Sequence, residues 1–169
     1  MKIKNVNSNE DFVNFICSNV IRDIMVDSKT GRIKDCHLPQ LRASLEGLDR
    51  FIEAQDKWNT YQTALEEVKA GKKRTHWIWF IFPQMGRLGT SEKSRYYGIS
   101  GRDEAIEYIN HPILRDRLVE ITEAVYNNEK SVYEIFGNDV IKVRSCMLLF
   151  ASVSDIPIFQ KMLEKHCWR

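Results

Sequence analysis

The sequence is poor in the residues and spacings that mark several functional classes. Only four cysteines occur in 169 residues (Cys17, Cys36, Cys146 and Cys167), and no two stand at metal-site spacing. The four histidines include no pair at i and i+4, so the helical two-histidine site is missing as well. No metal ion or other cofactor is therefore expected. Long apolar runs are absent too, and nothing approaches the roughly 20 residues that a membrane-spanning helix needs. The start, Met1-Lys2-Ile3-Lys4-Asn5-Val6-Asn7, has no apolar core of a secretion signal behind its lysines. A cytoplasmic setting with free thiols follows as the expectation. The alternative, a Cys17–Cys36 disulfide, would need an oxidising compartment. Charge of one sign is lacking: 25 basic against 23 acidic residues leave a net +2, too little to draw nucleic acid or a membrane by bulk electrostatics. Gly86-Arg87-Leu88-Gly89 is neither a phosphate loop nor a dinucleotide fingerprint, and no nucleophile elbow is present.

What is present is globular composition, 43% hydrophobic and 28% charged, with apolar residues at helical spacing almost throughout. Ser8 with Asp11 opens a first helix that carries Phe12, Phe15, Ile16, Ile21, Ile24 and Met25. A turn at residues 28–31 precedes a second short helix over 38–45, and Gly47 marks a break. The stripe Leu48, Phe51, Ile52, Gln55, Trp58, Tyr61, Leu65 and Val68 predicts one continuous helix, stopped by Gly71. His76-Trp77-Ile78-Trp79-Phe80-Ile81-Phe82-Pro83 is apolar almost throughout. No second strand pattern exists for it to pair with, so a short buried helix is expected. Further helices are expected over residues 91–97, from a Ser100/Asp103 capping box to Asn110, and from Pro112 to Tyr126. A single turn follows between Ser131 and Gly137, then helices over residues 139–151 and after Asp155. Alternating strands are nowhere apparent. The expected fold is all-α, a multihelical domain of short packed helices over 48–169 with an N-terminal helical extension over 1–47.

The segment from Arg74 to Tyr97 concentrates groups that a simple core avoids. Ligand sites combine aromatic walls with a few fixed polar groups. Trp77 and Trp79 are candidates to stack on a ring, with His76, Gln84 and Ser91 as hydrogen-bonding groups. Ser94 and Tyr97 complete the lining, and Arg95 or Lys73 would meet a phosphate. Each residue also has a structural reading. Tryptophans at this density fill cores, serines at a loop-to-helix junction cap, and a glutamine after proline satisfies a turn. His111, ahead of Pro112, is either a general base near neutrality or a structural hydrogen bonder. The basic group Lys72, Lys73 and Arg74 suits a solvated loop after a helix C-terminus, and Cys146 sits among apolar residues where a thiol is inert.

From about Leu48 onward the chain resembles a family catalogued as a domain of unknown function, number 1810, also called the Rv1873-like superfamily. The ordered blocks are Phe51-Ile52-Glu53-Ala54-Gln55, His-Trp-x-Trp-Phe-Ile-Phe-Pro-Gln at residues 76–84, and Leu88-Gly89-x-Ser91-x-x-Ser94-x-x-Tyr97-Gly98-Ile99. Ala105-x-x-Tyr108, His111-Pro112, Arg117-Leu118, Gly137-x-Asp139, Lys142 and Ser145-x-Met147-x-Leu149-Phe150 complete the series. The resemblance implies a multihelical fold and brings no activity, cofactor or substrate with it. Arg115 departs from the glycine usual after His-Pro-x-Leu. Residues 1–47 match no part of the family pattern. Two functions stay open. One is a protein, enzymatic or not, that binds a small anionic, nucleotide-like ligand around residues 76–84. The other is a non-catalytic regulatory module that meets a protein partner through residues 1–47.

Overall fold

In the computed structural model, the described residues are 25–26, 33–35, 46–86 and 91–168. By their contacts the residues divide into two units, Met1–Gly47 and Leu48–Arg169. In the first, β1 (Met25–Val26) pairs antiparallel with β2 (Ile33–Asp35), with an irregular register between Met25 and Val26. This corrects the helix expected to run through Met25. β-branched Val26 and Ile33 favour extended backbone, and pairing between the two segments makes Met25 part of a strand. The helices expected over residues 8–24 and 38–45 lie outside the described residues.

The second unit is all-α. Among its described residues the elements run α1 (Asp49–Asp56), α2 (Thr60–Lys69), α3 (Ile78–Ile81), α4 (Glu92–Tyr96), α5 (Arg102–Asn110), α6 (Pro112–Tyr126), α7 (Val132–Phe136), α8 (Val140–Ala151) and α9 (Pro157–Lys165). Short 3₁₀ turns, Lys57–Asn59 and Gly137–Asp139, join α1 to α2 and α7 to α8. No described helix is long and apolar enough to cross a membrane.

Local sequence explains most boundaries. Ser131 and Glu134 form a reciprocal capping box at α7, and Gly137 follows that helix at φ 56°, a conformation open to glycine. Pro112 and Pro157 stand in the first turns of α6 and α9, where the missing N–H removes no helical bond. The expected Ser100 cap on α5 is not made by its side chain. Gly101 occupies the cap position, and the Ser100 N–H donates to Glu104 Oε2 at 2.7 Å instead.

One expectation fails usefully. The helix read as continuous from Leu48 to Val68 breaks at residues 57–59, where Trp58 (φ 52°) and Asn59 (φ 56°) both take the left-handed conformation. Trp58 therefore leaves the apolar stripe and stands 85% exposed. The break lets α1 and α2 follow separate faces of the core while Phe51, Leu65 and Val68 remain buried.

The core is aromatic at its centre. Tyr108 packs edge-on against Phe51 and at a tilt against Phe150, each with ring centroids 5.1 Å apart. Trp77, Phe82 and Phe136 form a second group, with Phe136 edge-on to both. Ile78, Leu114, Leu118, Ile121, Met147 and Phe159 close the space between them. Cys146 is fully buried, and desolvation pushes its thiol pKa well up, so it behaves as a small apolar residue.

Candidate functional site

Trp77 and Trp79, neighbours on the same segment, have opposite fates. Trp77 has no exposure, packs on Phe82 and Phe136, and gives its indole N–H to Glu67 Oε2 at 2.9 Å. It is a core residue and offers no face to a ligand, which corrects its place among the stacking candidates. The same carboxylate accepts from the backbone N–H groups of Arg74 (2.7 Å) and Thr75 (3.1 Å), and from the Thr75 hydroxyl (2.8 Å). Burial pushes the Glu67 carboxyl up, but these bonds outweigh it and hold the group below the usual range. Glu67 thus fixes the entry to α3. His76, within that entry, is exposed and makes no hydrogen bond with a described residue.

Trp79 is half-buried on α3, with the Lys93 ammonium of α4 at 5.2 Å from its ring. Phe80 beside it meets Tyr97 at 5.1 Å, and Tyr97 also meets Tyr96 at 4.7 Å and Phe51 at 6.1 Å. The segments that follow α3 and α4 are joined through backbone: the Ile99 N–H donates to Gln84 O at 2.9 Å, and the Gly86 N–H to Ile99 O at 3.0 Å. That bridge requires Gly86 and Gly98 to touch, since a Cβ on Gly98 would lie 2.2 Å from Gly86 Cα. The result is a half-open aromatic face, with the Gln84 side chain partly exposed on one flank and cations on α4 on the other.

The serines take their structural roles. Ser91 caps α4 by accepting from the Ser94 N–H at 3.2 Å, and Ser94, buried, donates its hydroxyl to Ser91 O at 2.7 Å. Arg95 is exposed on α4. Lys73, the other phosphate candidate, is engaged elsewhere. Its ammonium pairs with Asp139 at 2.9 Å, and Lys142 reaches the same carboxylate at 2.6 Å. Two cations overcome the upward push of burial and hold the Asp139 carboxyl down. His111 occupies the N-cap position of α6 at the α5–α6 junction without a side-chain capping bond, and its backbone bonds stay within α5 and α6. Its Nδ1 is buried with no hydrogen-bond partner among the described residues. Of the nine candidates, Trp79, Gln84, Ser91, Ser94, Arg95 and Tyr97 fall on the connected α3–α4 segment, whereas His76 stands exposed at the entry to α3, His111 lies at the α5–α6 junction and Trp77 turns inward.

Several polar residues of consequence carry no sequence signal. Arg50 is 3% exposed in α1, and its guanidinium bonds Glu104 Oε1 at 2.6 Å, Tyr96 O at 2.9 Å and Gly98 O at 3.1 Å. It therefore holds both ends of the Tyr97 backbone. Gln55, 2% exposed, donates to Phe80 O at 2.8 Å and to the Tyr108 hydroxyl at 3.4 Å, and accepts from Arg117 at 3.2 Å. Arg117 passes the chain outward to Asp56 at 2.7 Å. Arg50 and Gln55, both buried on α1, hold the backbone carbonyls of Tyr96, Gly98 and Phe80. Only the place of Gln55 in an otherwise apolar helical stripe hints at this, and Arg50 lies outside that stripe. Among the described residues no three His, Cys, Asp or Glu side chains gather as a metal group.

A family model described as a protein of unknown function (DUF1810) matches residues 45–168. Among solved structures, the conserved hypothetical protein Rv1873 from Mycobacterium tuberculosis is similar, at 43% identity and a TM-score of 0.67. The match covers 70% of this chain and 85% of that one. No curated protein matches.

Proposed function

As the chain belongs to the DUF1810 family of proteins of unknown function, we propose its role from its own residues: it binds a small anionic ligand with a flat ring, nucleotide-like in character, at the α3–α4 face. The observation that carries this reading is the half-open Trp79 ring with the Lys93 ammonium 5.2 Å away. A half-buried indole becomes a stacking platform where the flexible Lys93 side chain above it gives way, and the displaced ammonium then suits a phosphate attached to the stacked ring. Gln84 and Tyr97 would supply orientation, and Arg95 a second cation. Arg50 and Gln55 support the face by holding backbone carbonyls with buried side chains, the rigid backing that a preformed site needs. Trp77, Ser91 and Ser94 serve the framework in this reading. His76 and His111 stand outside the face.

The test is a thermal-shift titration with adenosine and guanosine monophosphates, their nucleosides and inorganic phosphate. A monophosphate should raise the melting temperature more than either fragment, because binding only the native state stabilises it. Trp79→Ala and Lys93→Ala should each abolish the rise while leaving the unliganded fold intact. A rise that survives both substitutions, or no rise with any of these compounds, overturns the reading.

A second reading, a protein-interaction module, is favoured by Trp58. The Trp58 indole stands 85% exposed with only the Lys57 ammonium, 4.3 Å from its ring centre, against it, and an aromatic so presented is a common anchor of protein contacts. Under this reading the Met1–Gly47 unit supplies further contact surface. Trp58→Ala and deletion of residues 1–47 should then each weaken capture of the same partner. Recovery of identical partners by all forms would count against it.

A further inference from the structure

Lys93 projects from α4, a helix held in place on several sides. Ser91 caps it, the buried Ser94 hydroxyl bonds Ser91 O, and Arg50 holds Tyr96 O and Gly98 O at its far end. The Trp79 ring is positioned as firmly. It stands half-buried on α3, where Gln55 bonds the carbonyl of the next residue, Phe80. Between these two supports the Lys93 side chain is exposed, a flexible four-carbon stem whose ammonium lies 5.2 Å from the centre of the indole. Lys73, Lys142, Arg115 and Arg117 each pair with a carboxylate. The Lys93 ammonium makes no ion pair with a described residue and rests on the indole instead.

A ring and an ammonium cannot occupy the same face of one indole. A ligand that stacks there must displace Lys93, which costs about two- to five-fold in affinity, the usual worth of an exposed cation–π contact. An uncharged ring gives the displaced ammonium nothing in return. A ring that carries a phosphate does, because the ammonium moves from the indole to the phosphate oxygens. That charge-assisted hydrogen bond is worth about ten-fold or more.

Given the ligand reading of the α3–α4 face, on which this rests, we infer that Lys93 is a gate that closes the Trp79 indole to uncharged rings and opens it to phosphorylated ones. The same side chain covers the platform and then completes the site. A lysine that only bound phosphate would help nucleotides and leave nucleosides unaffected. A gate acts on the two with opposite signs.

The test follows the Trp79 indole N–H signal of the full chain by nuclear magnetic resonance, assigned with Trp79→Phe, during titration with adenosine and adenosine monophosphate. The parent should bind the monophosphate about ten-fold or more tightly than the nucleoside. The Lys93→Gln variant should bind adenosine about two- to five-fold more tightly and the monophosphate about ten-fold more weakly. Because Lys93 is exposed, its unliganded melting temperature should match that of the parent. Lys93→Arg keeps a cation that both stacks and pairs, and should behave like the parent. A second measurement needs no ligand. In a Trp58→Phe/Trp168→Phe background, which leaves Trp79 beside the fully buried Trp77, Lys93→Gln should raise fluorescence quenching by acrylamide. If Lys93→Gln binds adenosine no more tightly than the parent, or quenching does not rise, the gate is overturned while monophosphate binding by the parent keeps the ligand reading. If neither compound binds the parent, both fall together.

Discussion

Removing the Arg50 guanidinium should damage both stability and the α3–α4 face, and its size can be worked from the structure. The Arg50 side chain is 1% exposed and that of its partner Glu104 14%, with 2.6 Å between Nη1 and Oε1. Arg50→Met preserves much of the volume but leaves Glu104 without its cation and orphans the Tyr96 and Gly98 carbonyls. Breaking a buried pair from one side costs about 3–5 kcal/mol. A domain of this size is stable by only about 5–15 kcal/mol, so the melting temperature should fall by roughly 15 °C. The pH dependence gives an independent check. Burial pushes the Glu104 carboxyl up, but the hydrogen bond and charge of Arg50, with the Ser100 N–H, outweigh it and set the native pKa below the usual value. The native state therefore releases this proton more readily than the unfolded chain. The pair's stabilisation is complete above the unfolded value of about 4.3 and is lost as pH falls through the native value. Urea unfolding of parent, Arg50→Met and Glu104→Gln at pH 7, 5, 4 and 3 measures this. The parent-minus-variant gap should be level between pH 7 and 5 and shrink below 4. A loss under about 1 kcal/mol for Arg50→Met, or a gap unchanged at pH 3, would refute the reasoning.

Three further outcomes are expected from local geometry. Gly98→Ala forces a Cβ to within 2.2 Å of Gly86 Cα and 2.8 Å of Ser94 O, so chemical denaturation should reveal a loss of about 3 kcal/mol; a neutral result would mean the two backbones do not touch. Trp58→Gly relieves a left-handed tryptophan at an 85% exposed position, and should be neutral or stabilising by up to about 1 kcal/mol despite the freedom glycine adds to the unfolded chain. Ser131→Ala removes one half of the α7 capping box and should lower stability by about 1 kcal/mol in the same assay.

The all-α class, the positions of most helices and the inward faces of α8 and α9 were legible because each depends on a short-range pattern. Steps of three and four locate Val143, Met147 and Phe150, and Ser131 with Glu134 announces its own cap. The break at Trp58 was not legible, because the apolar stripe continues through it at unbroken helical spacing. Only the tertiary need to turn α2 away from α1 selects a left-handed pair there. The strand at Met25 was hidden for a related reason: pairing with Ile33–Asp35 is a relation between segments, which periodicity in one of them does not report.

The candidate site divides along the same line. Trp77 and Trp79 are two residues apart in one apolar run, and composition treats them alike. What separates them is the position of Glu67, ten residues earlier on α2, whose carboxylate takes the Trp77 indole N–H and draws that ring inward. With Trp77 fixed, the four residues of α3 cannot turn Trp79 to the same side, and its ring is left half-open beside Lys93. A core contact on one face thus determines which aromatic is available on the other. If the proposed ligand binds at Trp79, Glu67→Gln should weaken the melting-temperature rise given by a nucleoside monophosphate as well as lower stability, although Glu67 makes no hydrogen bond to Trp79 or to α4. The face is a consequence of how α3 is anchored, and the anchor is where sequence pattern alone has least to say.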